Sequence, residues 1–167
     1  MARGKQPQSA QADGRKIEIR PVASNRKARF DYEIVEALEA GVALTGTEIK
    51  SIRAGGAHIR EAYARPQNGE MWLFGAHIAP YESGSYLNHE PTRPRRLLMH
   101  RRQIAEWSAA MAEKGLTIVP LSLYLKNGMA KVELGLGKGR KRYDKRQAIA
   151  KRETEREIQR ALRERQR

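Results

Sequence analysis

Hydrophobic and polar residues alternate along several short stretches of the chain, and that alternation predicts a mostly β protein. Lys16-Ile17-Glu18-Ile19-Arg20 has the two-residue period of a strand. A polar cluster, Ser24 to Arg29, follows. The run from Phe30 to Leu44 then mixes aromatic and β-branched residues, which favour strand, with Glu, Ala and Leu, which favour helix; we read it as a strand bending near Gly41. Tyr63 to Pro66 and Met71 to Phe74 flank Asn68-Gly69, a strong hairpin signal. Leu121, Leu123 and Leu125 alternate with Ser122, Tyr124 and Lys126, turn at Asn127-Gly128 and return through Ala130, Val132 and Leu134. Helical spacing occurs in two places. Thr47 to Gly55, with Thr47 as cap and Gly55 as stop, would turn Ile49 and Ile52 inward, and Leu97 to Gly115 sets Ile104, Trp107 and Met111 on one face. Pro80 to Pro94 has no period and reads as loop. Such strands leave exposed edges unless the sheet closes, so the expected fold is mainly β: a small antiparallel oligonucleotide-binding-like barrel with about three short helices.

Beyond the last hairpin the pattern fails. Gly135, Gly137 and Gly139 alternate with Leu and Lys but fit neither the dinucleotide nor the phosphate-loop spacing, so they read as a hinge. Ile158 and Leu162 share a helical face, yet Ile149 lies half a turn away from Ile158, and no continuous apolar stripe exists. A helix here would rest on pairs such as Lys151 with Glu155, Glu153 with Arg156, Glu157 with Arg160 and Arg160 with Glu164, each contributing roughly 0.2 to 0.5 kcal/mol. The expectation is a tail disordered when free and helical on a polyanion. A merely solubilising basic tail is the other reading. The chain thus divides into a loose basic arm over 1–16, a barrel over 17–137 and a basic tail over 138–167.

Charge sharpens this division. The net charge over 167 residues is +14. Residues 1–29 hold eight basic side chains against Asp13 and Glu18, or +6; from Lys138 onward thirteen oppose five acids, or +8. The stretch between is therefore neutral. A balanced body with two cationic ends suits phosphate binding, and a membrane surface ranks low because neither end carries a bulky apolar face. A mean hydropathy of -0.74, no membrane-length apolar run and no signal-like apolar segment make cytoplasmic location the default expectation.

Catalytic chemistry finds little support. Cysteine is absent, which excludes disulfides and thiolate sites. His58, His77, His89 and His100 lie far apart in the sequence without ligand spacing, and Ser51, Ser83 and Ser85 lack a nucleophile-elbow context. Asp31, Glu48 and Glu61 could serve an RNA-processing enzyme as metal ligands, but their spacing puts them on separate elements. Binding chemistry remains: Tyr143, among Lys141, Arg142, Lys145 and Arg146, offers a ring on which an unpaired base could stack.

Several stretches together resemble the SmpB family, the SsrA-binding proteins of bacterial trans-translation. They are Asn25-Arg26-Lys27-Ala28-Arg29 with Asp31-Tyr32, Glu39-Ala40-Gly41, Leu44 to Gly55, Leu73 to Ile78, Pro91 to His100, Pro120 to Tyr124 and Asp144-Lys145-Arg146. The resemblance runs in order from about residue 16 to the end. It implies a non-enzymatic protein, without cofactor or metal, that binds the tRNA-like domain of transfer-messenger RNA and delivers it to ribosomes stalled on messages lacking a stop codon. It implies as partners that RNA and small-subunit ribosomal RNA, with alanyl-tRNA synthetase and elongation factor Tu reached indirectly through the RNA.

Carried over residue by residue, the resemblance puts Asn25, Arg26, Tyr32, Glu39, Leu98 and His100 on the RNA face. Arg26 can neutralise phosphate, Asn25 and His100 can hydrogen-bond base or sugar edges, Glu39 can accept from a base amine or orient an arginine, and Leu98 fits either a stacking or a core role. It implies also that the tail enters the empty message channel, with Tyr143, Asp144, Lys145 and Arg146 nearest the decoding bases and Lys151, Arg152, Ile158 and Leu162 further along. Many relatives carry His where this chain has Tyr143. The alternative reading is a general ribosomal or RNA-chaperone protein without a dedicated RNA.

Overall fold

The computed structural model describes residues 17–83 and 88–165, apart from the side chains of Arg142, Tyr143, Ala148 and Arg165; the expected arm over 1–16 lies outside the described residues. Among the described residues nine strands and four helices follow one another: β1 (Ile19–Ser24), α1 (Arg26–Asp31), β2 (Tyr32–Val42), α2 (Gly46–Arg53), β3 (Ala57–His58), β4 (Tyr63–Gln67), β5 (Glu70–Phe74), β6 (His77–Ile78), β7 (Arg95–Leu98), α3 (Arg101–Lys114), β8 (Thr117–Lys126), β9 (Met129–Gly139) and α4 (Arg142–Arg165).

Six of the strands close into a ring, because the antiparallel order β8-β4-β5-β7-β2-β9 is completed by pairing of β9 back onto β8. β1 lies on the free part of β8, along 122–126, and β3 and β6 form a separate short ribbon. The ring answers the edge problem posed by the strand pattern. The two hairpin turns are where the Asn-Gly pairs predict them: Asn68 and Gly69 have φ of 52° and 74°, Asn127 and Gly128 of 50° and 78°. Those paired left-handed conformations match the twist of the strands they join.

Alternation decides the core. Met71 and Leu73 point inward with Ile118, Leu123, Leu125, Val132 and Leu134, while Trp72 and Phe74 face outward. α3 closes the interior with Ile104 and Trp107, the latter 2% exposed. Inside lies a charged knot. Glu48, wholly buried, accepts Arg95 Nε at 2.9 Å, Arg93 Nε at 2.8 Å and the Thr45 amide at 2.8 Å, and Arg95 donates onward to the carbonyls of Ala76 and Pro91. The pairing ties α2 to Arg93 and Arg95, and so to the residues that lead into β7.

Several expectations are corrected. Most of the polar cluster Ser24 to Arg29 lies in a helix, Arg26–Asp31, capped by Asn25, so β2 begins at Tyr32 and not at Phe30. Its irregularity lies between Ile34 and Glu36, not at Gly41. α2 is capped at Thr45, with Glu48 bonding back to the cap amide, and not at Thr47. Leu97 and Leu98 belong to β7, since they pair with Met71 and Gly41, and the helix starts at Arg101. Ile17 and Ile19 are exposed, and β1 runs on to Ser24.

The glycines read as a hinge sit inside β9. An added Cβ would meet Glu33 O at 2.7 Å from Gly137, and Ile34 and Leu121 side-chain carbons at 3.0 Å from Gly135. Gly135 and Gly137 thus allow β9 to pack closely against Ile34, Glu33 and Leu121, and β9 runs through Gly139 with no close neighbour at that last glycine.

α4 is one long helix whose described side chains from Arg146 to Glu164 are all exposed. Among the described residues none of the four anticipated ion pairs along it forms. Among the described residues it is tied to the barrel at its base, where Lys145 Nζ lies 2.9 Å from Asp31 Oδ1, beside the Arg140 amide that donates to the Asp31 carbonyl. Among the described residues no helix is long and apolar enough to cross a membrane.

Candidate nucleic-acid interface

The six barrel residues expected on the RNA face fall into two patches at opposite ends of β2. Tyr32 and Glu39 are seven residues apart on that strand, roughly 23 Å at the usual rise.

At one end Asn25 organises α1. Its Oδ1 accepts the Ala28 amide at 3.0 Å, and its Nδ2 donates to the carbonyls of Ile59 at 3.0 Å and Arg60 at 3.3 Å. The side chain is only 2% exposed and both ends of its amide are engaged, so the expectation that it bonds base or sugar edges does not fit. Asn25 instead fixes the first turn that projects Arg26. Three cations stand exposed on this helix. Lys27 pairs with Glu61 and Arg29 with Glu133, each at 3.0 Å, whereas Arg26 has no carboxylate partner among the described residues. Of the three, Arg26 is the one whose charge no described carboxylate offsets. Tyr32 is half-buried against Ala28, Val119 and Leu121.

At the other end Glu39, Leu98 and His100 line an open groove of about 1070 Å³ between α3 and the strand ends, with Arg96, Arg101 and Lys131 on its walls. Leu98 is 52% exposed, which settles its double reading against the core. Gly41 makes room for it: a Cβ there would stand 3.2 Å from the Leu98 Cβ. His100 is the N-cap of α3, and its amide donates to Gln103 Oε1 at 3.0 Å.

Glu39 is held rather than free. The Tyr124 hydroxyl donates to Oε2 at 2.5 Å and Lys126 Nζ lies 3.1 and 3.0 Å from the two oxygens. The Tyr124 hydrogen bond outweighs burial, which acts the other way, and with smaller help from Lys126 and Lys131 holds the Glu39 carboxyl below its usual pKa. Burial, then the Glu39 carboxylate, pushes the Tyr124 phenol up. The result is an ionised acceptor fixed in a cationic groove, able to take a further donor such as a base amine.

Tyr124 and Lys126 were missed by sequence reasoning. They were legible only as the outward positions of β8; nothing local says that this row meets β2.

Candidate metal chemistry is not assembled. Asp31, Glu48 and Glu61 are committed to Lys145, to Arg93 with Arg95, and to Lys27 respectively. His58 and His77, distant in sequence, are register partners with ring centroids 6.1 Å apart, but no group of three potential metal ligands exists among the described residues. In the tail Asp144, Arg146, Lys151, Arg152, Ile158 and Leu162 are exposed, Lys145 is half-buried on Asp31, and the side chain of Tyr143 lies outside the described residues.

Comparison with known proteins gives this geometry its context. The chain is 60% identical over 157 residues to the SsrA-binding protein of Roseiflexus castenholzii, covering 93% of this chain and 99% of the relative. It is 58% identical over 144 residues to that of Carboxydothermus hydrogenoformans, covering 86% and 97%. Among solved structures it is similar to a chain from "tmRNA-SmpB: a journey to the center of the bacterial ribosome", with a TM-score of 0.62, 47% identity and coverage of 77% of this chain and 94% of that one. The family model described as SmpB protein matches residues 22–164, and the chain belongs to that family.

Proposed function

We propose that this protein binds the tRNA-like domain of transfer-messenger RNA and delivers it to stalled ribosomes in the cytoplasm, as a binding protein and not a catalyst. Its relatives are named for binding SsrA, and its solved neighbour is named with tmRNA and the ribosome. The observation that carries the reading is the groove: an exposed leucine, a histidine and a fixed carboxylate stand together among cations on an otherwise neutral body.

In this reading Leu98 lies against an exposed base, His100 and Glu39 take polar edges, and Arg26, held by Asn25 and followed by Tyr32, grips phosphate some 20 Å away along β2. That span suits a folded RNA better than one nucleotide. The tail takes the second task. Free, it is only marginally ordered; inside the empty message channel it is helical, with Tyr143, Asp144, Lys145 and Arg146 nearest the decoding bases and Lys151, Arg152, Ile158 and Leu162 deeper along the channel. Tyr143 retains stacking where many relatives carry His but supplies no cationic ring.

Competition tests the reading. At moderate salt an excess of bulk tRNA should leave transfer-messenger RNA bound, and affinity should fall with log salt at a slope near -5, for about six phosphates. Displacement of the RNA by bulk tRNA would instead favour a general ribosomal or RNA-chaperone role.

A further inference from the structure

The outer wall of the barrel carries an aromatic and arginine strip that the groove does not use. Tyr63 and Phe74 are register partners on β4 and β5, their rings stacked with centroids 5.5 Å apart at 17°. The Arg65 guanidinium lies over the Phe74 ring, 4.6 Å from its centroid. Arg65 is paired in register with Trp72, and Trp72 with Arg96 on β7. Since Ala64, Met71 and Leu73 point into the core, these side chains share the outward face, and the strip runs toward the groove, which Arg96 and Leu98 also line.

Cross-strand packing alone accounts for the Tyr63–Phe74 contact, but not for what surrounds it. Tyr63 remains 42% exposed. The nearby carboxylates are already neutralised, Glu61 by Lys27 at 3.0 Å and Glu70 by Arg96 at 2.8 Å, while among the described residues no carboxylate pairs with Arg65. A partly exposed stacked aromatic pair beside a guanidinium with no described carboxylate partner, on the wall of a small barrel, combines the two features that hold unpaired nucleotides: a sequence-tolerant stacking platform and a cation for the backbone.

We propose that Tyr63, Arg65, Trp72 and Phe74 form a second RNA-contacting surface that stacks unpaired nucleotides adjoining the folded RNA seated in the groove. This rests on the RNA-binding reading above.

The test measures binding of the full chain to an unstructured RNA of about 12 nucleotides, within the range that one such barrel covers, to a duplex of equal length, and to a tRNA-shaped RNA. The unpaired RNA should bind more tightly than the duplex and quench fluorescence of the half-exposed Trp72, Trp107 being buried. Tyr63→Leu should weaken the unpaired RNA about tenfold or more, Tyr63→Trp should restore it, and Arg65→Gln should lower its salt slope by roughly 0.7. Circular dichroism and melting confirm that each variant folds. Unchanged unpaired-RNA binding in folded Tyr63→Leu and Arg65→Gln, or preference for the duplex, overturns the strip. If the strip responds as expected while tRNA-shaped RNA fails to bind, the strip stands and the reading of the groove falls.

Discussion

The barrel and α4 are built from the same polymer by opposite means. In the barrel every ring strand turns one face onto a shared interior, and even ionised groups are admitted when paired, as Glu48 is with Arg93 and Arg95. In α4 Ile149, Ile158 and Leu162 remain 45 to 54% exposed, and among the described residues one ion pair, at the base, ties the helix to the barrel. The barrel is held by what it buries. The tail has propensity and little else, so its order is available to whatever partner supplies a surface.

The largest expected contrast comes from opening the knot. Glu48→Ala leaves the buried Arg95 without its carboxylate and frees the half-buried Arg93, and should cost about 3 to 5 kcal/mol in urea unfolding, whereas Ile158→Ala in α4 should stay within roughly 0.5 kcal/mol. A loss below about 1 kcal/mol at Glu48 would show that the knot is not what fixes the loop before β7.

Acid should reach the barrel by the same route. Burial alone would raise the Glu48 pKa, but the donors from Arg93, Thr45 and Arg95 outweigh it and hold the carboxyl below its ordinary value. A lowered folded pKa contributes stability that is present above the unfolded carboxylate range near 4.3 and is lost as pH falls through the folded value. Thermal melts from pH 7 to 2 should show an acid limb in the wild type that is flatter in Glu48→Gln.

Removing residues 140–167 should leave the barrel's melting temperature within about 2 °C, because α4 buries so little. Affinity for the tRNA-like RNA should be largely retained and ribosome rescue abolished. If the truncated protein loses the RNA, the separation of tasks between barrel and tail is wrong.

Within the barrel the groove can be separated from the core. Leu98→Ser, at an exposed position, should weaken the RNA roughly tenfold, near the stacking value of one base, with little change in melting. The smallest effect is expected at the junction: Asp31→Asn releases Lys145 and should alter stability by less than about 1 kcal/mol.

What the sequence made legible follows the same contrast. The two Asn-Gly turns and the alternation of β8 and β9 were readable because a hairpin is specified within a dozen residues. α1 was not, because its six residues depend on Asn25 reaching carbonyls more than thirty positions away. Leu97 and Leu98 were drawn into α3 because their strand partners, Met71 and Gly41, are remote. Glu39, Leu98 and His100 were named by family resemblance alone; their meeting in one groove needs ring closure, which no local period reports. Sequence reasoning placed Asn25 in contact with RNA, where its burial leaves it a positioning role. The exposed tail was correctly read as lacking a stripe, since a helix face is a local property.

Hydrogen exchange on the full chain tests the division most directly. Without RNA or ribosome, amides from about Lys145 to Arg165 should exchange nearly as fast as unstructured peptide while those of β8 and β9 approach global protection, and ribosome binding should slow the tail selectively. Slow exchange of α4 in the free protein, matching the barrel, would contradict the account.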